Sequence, residues 1–311
     1  MQEKKITDKQ RIANEFNIFF TQVGPKLAHK IEDFPGKKFK DYLAINHRSK
    51  LNFTPINETI VTNITKTLSS KKSCGKDGIS TILLKSVISE IKTPLVIIIN
   101  QTLKTGIFPD KLKIAKVLPL YKKEDKAVFT NYRPISLLPA ISKIFERIIF
   151  DQLYSYFITH RLFYTSQYGF RKDHSTEFAA LELVDRLIYK MDDGKSPIGI
   201  FIDLSKAFDT LNHDILLYKL KYYGIDEIAN NLFGSYLSNR KQYVEFDSIE
   251  SDMLLVTTGV PQGSILGPLL FLIYINDIVN TSDFFHFILF ADDTTFVNKH
   301  DLKNKKDLMQ K

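Results

Sequence analysis

The chain has 311 residues, 44% of them hydrophobic, and carries a formal net charge of +8 with a pI near 9.2. That is enough chain for one large globular domain or two ordinary ones with a generous core. A single cysteine, Cys74, excludes a disulfide framework or a multi-cysteine zinc site and suits a reducing compartment. The basic excess points to a polyanionic partner such as nucleic acid, although it also serves solubility.

The N-terminus has no apolar segment of signal-peptide length, and the longest apolar runs, 95–99 and 269–275, are far short of the ~20 residues that span a bilayer. A soluble intracellular protein without membrane contact is therefore expected. Residues 1–107 read as a helical lead-in. A stripe through Ile12, Phe16, Phe19, Phe20 and Val23 predicts a helix that breaks at Gly24-Pro25, and 57–68 and 81–105 predict two more. Between them, 69–80 is a basic loop with two glycines. It lacks the G-K-[ST] ending of a phosphate-cradling loop and reads as an ordinary loop.

From Phe108 onward, helices and short strands alternate, which indicates α/β or α+β. Residues 115–121 and 134–138 predict a hairpin with a lysine-rich tip near Arg133. The 142–157 helix turns Ile144, Phe145, Ile148, Ile149, Leu153 and Phe157 to the core and Glu146, Arg147, Asp151 and Gln152 to the other face. The 177–191 helix is expected to pack through Ala180, Leu181, Val184, Leu187 and Ile188. The run 198–203 reads as a buried strand that ends in a carboxylate, Asp203, a costly place for an unpaired charge. Helices follow at 212–223 and 226–237, then strands at 240–246 and 253–256. Gly259-Val260-Pro261-Gln262-Gly263-Ser264 is a turn that opens an apolar helix over 265–279, and such a helix N-terminus attracts phosphate. Finally, 284–290 and 294–297 read as strands flanking Asp292-Asp293. Adjacent carboxylates repel, and a shared divalent cation relieves the repulsion; a solvated aspartate turn is the plainer alternative.

Asn131-Tyr132-Arg133-Pro134-Ile135-Ser136-Leu137-Leu138, Gly169-Phe170-Arg171, Phe201 to Asp209 (F-I-D-L-S-K-A-F-D), 259–264 and Phe290-Ala291-Asp292-Asp293 stand in the order of the blocks of non-LTR (LINE-type) retrotransposon reverse transcriptases. The chain resembles that family over about Phe108 to Val297, and more loosely back to about residue 10. The resemblance implies an α+β right-hand polymerase: fingers and a partial palm over 108–311, with an antiparallel sheet and packed helices. It further implies an RNA-directed DNA polymerase that uses an RNA template, a DNA primer, dNTPs and two Mg²⁺ ions, in the nucleus or a cytoplasmic ribonucleoprotein.

By the same resemblance, Asp203, Asp292 and Asp293 are the catalytic metal ligands, joined by the Leu204 carbonyl. Lys206, Ala207, Phe208, Gln262, Gly263 and Arg133 contact the nucleotide, with Phe208 beneath the incoming sugar. Arg171 and Lys172 contact nucleic acid. Asp209 does not match a ligand position and reads as a structural cap. The chain stops 18 residues after Asp293, so a truncated copy lacking the thumb is expected. Two rival readings remain: an RNA-templated RNA polymerase, against which Phe208 argues because such an enzyme must accept a 2′-OH, and a truncated or co-opted palm that acts as an inactive RNA-binding scaffold.

Overall fold

A computed structural model describes residues 6–30, 36–43, 49–225 and 227–299. Parts of the expected lead-in (1–5, 31–35, 44–48), Asp226 and everything after residue 299 lie outside the described residues.

The lead-in supplies α1 (Lys9–Ala28), α2 (Glu58–Thr67) and α3 (Thr81–Thr105). The side chains of Asp8, Asn57 and Ser80 cap them by accepting the N–H groups of Arg11, Ile60 and Leu83. Contrary to expectation, α1 runs through Gly24-Pro25 to Ala28. Proline removes one hydrogen bond near the helix end, and the glycine serves a different need. A Cβ on Gly24 would lie 2.1 Å from the Asp209 carbonyl oxygen and 2.3 Å from Thr258 Oγ1, so the residue lets α1 approach the loop that follows Asp203.

α2 and α3 share one continuous core with α4 (Ala140–Thr159), α6 (His213–Tyr222), α7 (Glu227–Leu237) and α8 (Gly267–Ile275). Leu84, Ile99, Phe145, Phe157, Leu216, Phe233 and Leu270 are buried in it, and Phe108 meets Phe145 and Tyr236 edge to face. Each such side chain contributes about 1.5–3 kcal/mol. This core runs unbroken across residue 107.

Two helices depart from their predicted faces. On α4 the apolar residues face inward as expected, but Glu146 is fully buried rather than solvent-facing. On α5 (Thr176–Asp192) the residues expected inside are largely outside: Leu181 is 55%, Val184 47% and Ile188 50% exposed. The inward face instead carries Ala179, Glu182 and Lys190. Glu182 sets this rotation, accepting hydrogen bonds from Ser166, Tyr168 and Arg186 and pairing with His286 at 2.8 Å.

The larger sheet has the order β2-β1-β4-β5, with β6 also on β4. It contains β1 (Ile114–Tyr121), β2 (Tyr132–Leu137), β4 (Arg240–Phe246), β5 (Ile249–Glu250) and β6 (Leu254–Val256). It is mixed rather than wholly antiparallel, because β1 and β4 run parallel. The smaller sheet, β3-β8-β7, is antiparallel throughout and consists of β3 (Gly199–Asp203), β7 (Phe285–Phe290) and β8 (Asp293–Asn298). β3 is an edge strand, not the buried one expected, and Phe201 is 70% exposed. The apolar run read from the sequence is thus a strand with one open edge.

Candidate active site

The β7–β8 hairpin closes with Phe290 paired to Asp293, leaving Ala291 and Asp292 as a two-residue loop. Such loops need positive φ at their first position, and Ala291 takes φ 56, a conformation unfavourable for a residue with a Cβ. The strain is held by a brace from the 166–169 segment, which lies along β7: Tyr168 N–H donates to the Leu289 carbonyl, and Leu289 N–H to that of Ser166. The buried Gln167 side-chain oxygen accepts both the Gly169 and Ala291 N–H groups, at 2.9 and 3.1 Å. A Cβ on Gly169 would sit 2.1 Å from the Ala291 nitrogen, so only glycine allows this contact. Gln167 was not singled out in the sequence; its signal was a polar residue next to the Gly169-Phe170-Arg171 block.

β8 pairs with β3 in a register that sets Asp203 directly opposite Asp293. Residues so placed share a face of the sheet, and like charges there destabilise it. Burial raises the Asp292 carboxyl above its ordinary range, against a hydrogen bond from its own backbone, and the charges of Asp293 and Asp203 push it further up. Among the described residues no three acidic, histidine or cysteine side chains already form a metal-holding group. The donor chemistry nevertheless fits a hard divalent cation, since three carboxylates offer oxygen alone and a cation would relieve their repulsion.

Asp203 and Asp292 open onto a cavity of about 640 Å³ also lined by Leu204, Lys206, Ala207, Phe208, Gln262, Gly263 and Arg133. Asp293, Arg171 and Lys172 are not in this lining. Arg171 has its guanidinium on the carbonyls of Tyr164 and Gln167, at 3.0 and 3.1 Å, and over the Phe163 ring. Lys172 is exposed and its N–H donates to the Tyr154 hydroxyl. Lys122 and Thr130, at the tip of the β1–β2 hairpin, line the cavity from the side of Arg133.

Residues 261–264 of the turn 259–264 also line the cavity, and the turn is fixed by several contacts. Val260 N–H donates to the Phe208 carbonyl and Gly259 N–H to that of Leu211. Ser136 N–H donates to the Gln262 carbonyl, and Gly263, at φ 114, leaves room for the Ser136 carbonyl, which a Cβ would meet at 2.8 Å. The buried Glu146 carboxylate accepts the Ile265 and Leu266 N–H groups at 2.6 and 3.3 Å, which anchors the start of α8 where the helix dipole favours negative charge. This is why Glu146 faces inward.

Burial raises the Glu146 carboxyl above its ordinary value of 4.5, although Arg240 and these N–H groups oppose the rise. The native state therefore binds more protons than the unfolded state, and this residue's contribution to stability falls as pH rises from 4.5 through its folded-state value. Relative to Glu146→Gln, the wild type is expected to gain stability between about pH 8 and about pH 5. Urea melts of both proteins at the two pH values check this. Glu146→Leu, which orphans the buried Leu266 N–H and the partly buried Ile265 N–H, is expected to cost about 1–3 kcal/mol for each group left unsatisfied inside the protein.

Residues 121–311 match the family model described as Reverse transcriptase (RNA-dependent DNA polymerase), and the chain belongs to that family. Its relatives place it on the LINE-type, non-LTR branch. It is 33% identical over 246 residues to a probable RNA-directed DNA polymerase from transposon BS of Drosophila melanogaster, covering 76% of this chain and 26% of that protein. It is 28% identical over 272 residues to the RNA-directed DNA polymerase from mobile element jockey of the same species, covering 85% and 30%. A Pol polyprotein from type-1 retrotransposable element R1 of Bradysia coprophila is 33% identical over 236 residues, covering 73% and 22%. The chain thus spans under a third of the length of these relatives. Among the described residues no helix is long and apolar enough to cross a membrane.

Proposed function

We propose that this chain carries the nucleotidyl-transfer site of a LINE-type reverse transcriptase, extending a DNA primer along an RNA template with dNTPs. The observation that carries the reading is the β3–β8 register, which sets Asp203 opposite Asp293 and beside the Asp292 turn at the mouth of the 640 Å³ cavity. In this reading 108–311 form the polymerase part and 1–107 a lead-in packed on it. The β1–β2 hairpin belongs to the fingers and the three-stranded sheet to the palm.

Primer extension joins a 3′-hydroxyl oxygen to an α-phosphorus while the bond to the pyrophosphate oxygen breaks; the demands are alignment and charge neutralisation. Asp203, Asp292, Asp293 and the Leu204 carbonyl would hold two Mg²⁺ ions. Bound there, these would ease deprotonation of the attacking hydroxyl and offset charge on the leaving pyrophosphate. Arg133 and Lys122 face the cavity as cations for the triphosphate, and the Lys206–Ala207 backbone offers N–H groups to it. Gln262 and Gly263 form the wall against which the nucleotide seats. The exposed Lys172 offers a phosphate contact, while Arg171 pins the loop that carries it. A basic protein of this kind belongs in a nuclear or cytoplasmic ribonucleoprotein.

The test is extension of a labelled DNA primer on an RNA template by this polypeptide with Mg²⁺. Template-dependent addition of dNMP supports the reading. Retained RNA binding without incorporation would select the inactive scaffold instead.

A further inference from the structure

We infer that Asp209 is a positioning residue that fixes which end of the Gln262 carboxamide faces the nucleotide cavity. The inference rests on the polymerase reading above. Asp209 itself is absent from the cavity lining and borders a separate hollow behind the 259–264 turn, together with Gln262, Ser136 and Arg240. Its Oδ1 accepts a hydrogen bond from Gln262 Nε2 at 2.8 Å.

The cap role suggested by the sequence is taken by another residue. The Asn212 side chain accepts the Ile215 N–H and caps α6, so the Asp209 carboxylate does not do so. Its backbone is held on both sides instead: Asp209 N–H donates to the Lys206 carbonyl, and Thr258 Oγ1 donates to the Asp209 carbonyl. The Gln262 backbone is equally fixed, since its carbonyl accepts the Ser136 N–H. With both backbones anchored, the end of the amide turned to Asp209 decides whether the pair forms.

A carboxylate only accepts, whereas a carboxamide donates at one end and accepts at the other. Ionised, Asp209 therefore selects the NH₂ end of Gln262; burial pushes its carboxyl above the ordinary range, and the Gln262 hydrogen bond and the Lys206 charge oppose that rise. The flipped amide would set Oε1 against Oδ1 and lose the hydrogen bond. With one Nε2 hydrogen committed, Gln262 offers the cavity Oε1 and a single N–H in a fixed order. An incoming nucleotide then meets an acceptor and a donor that do not exchange places. Preorganisation of this kind lowers the cost of binding.

The experiment compares Asp209→Asn, Asp209→Leu, Gln262→Glu and the double variant Asp209→Asn/Gln262→Glu. Asn keeps the volume but accepts either end of the amide; Leu removes the partner; Gln262→Glu opposes two carboxylates. The double variant restores the hydrogen bond with its direction reversed. In primer extension, Asp209→Leu and Gln262→Glu are expected to raise KM for dNTP by about 10- to 100-fold, the range of a hydrogen bond to a charged group, with a smaller change in kcat. The double variant re-forms the pair but turns a carboxylate toward the nucleotide, so it is expected to recover the thermal stability lost in Gln262→Glu while KM stays raised, a split that a purely structural role would not give. Independently of turnover, the Gln262 side-chain amide in ¹⁵N-glutamine-labelled protein is expected to exchange slowly with solvent in the wild type and rapidly in Asp209→Leu. A wild type that does not extend primers would defeat the polymerase reading, and the amide exchange alone then judges the pairing. Unchanged KM in the Asp209 variants of an active protein, or equal amide exchange with and without Asp209, would overturn the inference.

Discussion

Asp203→Asn and Asp292→Asn are each expected to abolish primer extension, by at least about 10²–10³-fold in kcat, while leaving the fold intact. That scale is the cost of removing one group that stabilises charge in a transition state, and a metal-holding carboxylate does so through the ion it carries. The fold should survive for reasons visible in the sheet. β3 is an exposed edge strand whose pairing with β8 runs through backbone groups, so an amide in place of the Asp203 carboxylate leaves the register unchanged. Asp292 sits in a loop held by Gln167 through the neighbouring Ala291 N–H. Removing either charge also removes repulsion among Asp203, Asp292 and Asp293, so thermal stability is expected to equal or exceed that of the wild type. Circular dichroism melts beside primer-extension rates check both halves. Full activity in either variant would sink the assignment, and a collapsed melting curve would mean that the aspartates are structural.

The elements that carry the site were legible for a local reason. Asp292 falls between two short apolar runs, so a hairpin turn follows from the pattern, and 259–264 announces itself by its glycines and proline. What no pattern could supply is the partner across the sheet. Asp203 and Asp293 are 90 residues apart, and only the β3–β8 register makes them neighbours.

The misread residues share one property: a polar side chain whose partner lies far along the chain. Glu146 falls on the polar stripe of α4 by periodicity, yet it is buried because the turn that leads into α8 presents two N–H groups 119 and 120 residues away. Asp209 looks like a local cap until its carboxylate is seen on Gln262, 53 residues on. α5 shows the same effect on a whole helix. Its apolar positions predicted one buried face, but Glu182, tied to Tyr168 and His286, turns another inward. Periodicity detects the helix, whereas hydrogen bonds from other elements decide its rotation.

Phe208→Val is expected to relax the preference for dNTP over rNTP by about 10- to 10²-fold, chiefly through faster use of rNTP. An apolar pocket by itself rejects an added hydroxyl only weakly, by about 10², so stronger discrimination requires a wall that cannot retreat from the 2′-oxygen. The Phe208 ring has the support such a wall needs. It stacks on Phe271 of the buried helix α8 at 4.9 Å between centroids and meets Phe170 edge to face at 6.0 Å. Its carbonyl is fixed by the Val260 N–H, and Gly259 sits so close that a Cβ would meet that carbonyl at 2.6 Å. The ring is therefore immobilised at the cavity that Asp203 and Gln262 also line. Valine shortens the side chain and opens room for the hydroxyl without adding a polar group. Because Phe208 is only half-buried, the stability cost should fall below the ~3–5 kcal/mol of a fully buried Phe→Ala change. Single-nucleotide incorporation, with kcat/KM measured separately for matched dNTP and rNTP, decides the matter. An unchanged ratio in a folded, active variant would leave the ring a packing residue of α8 and nothing more.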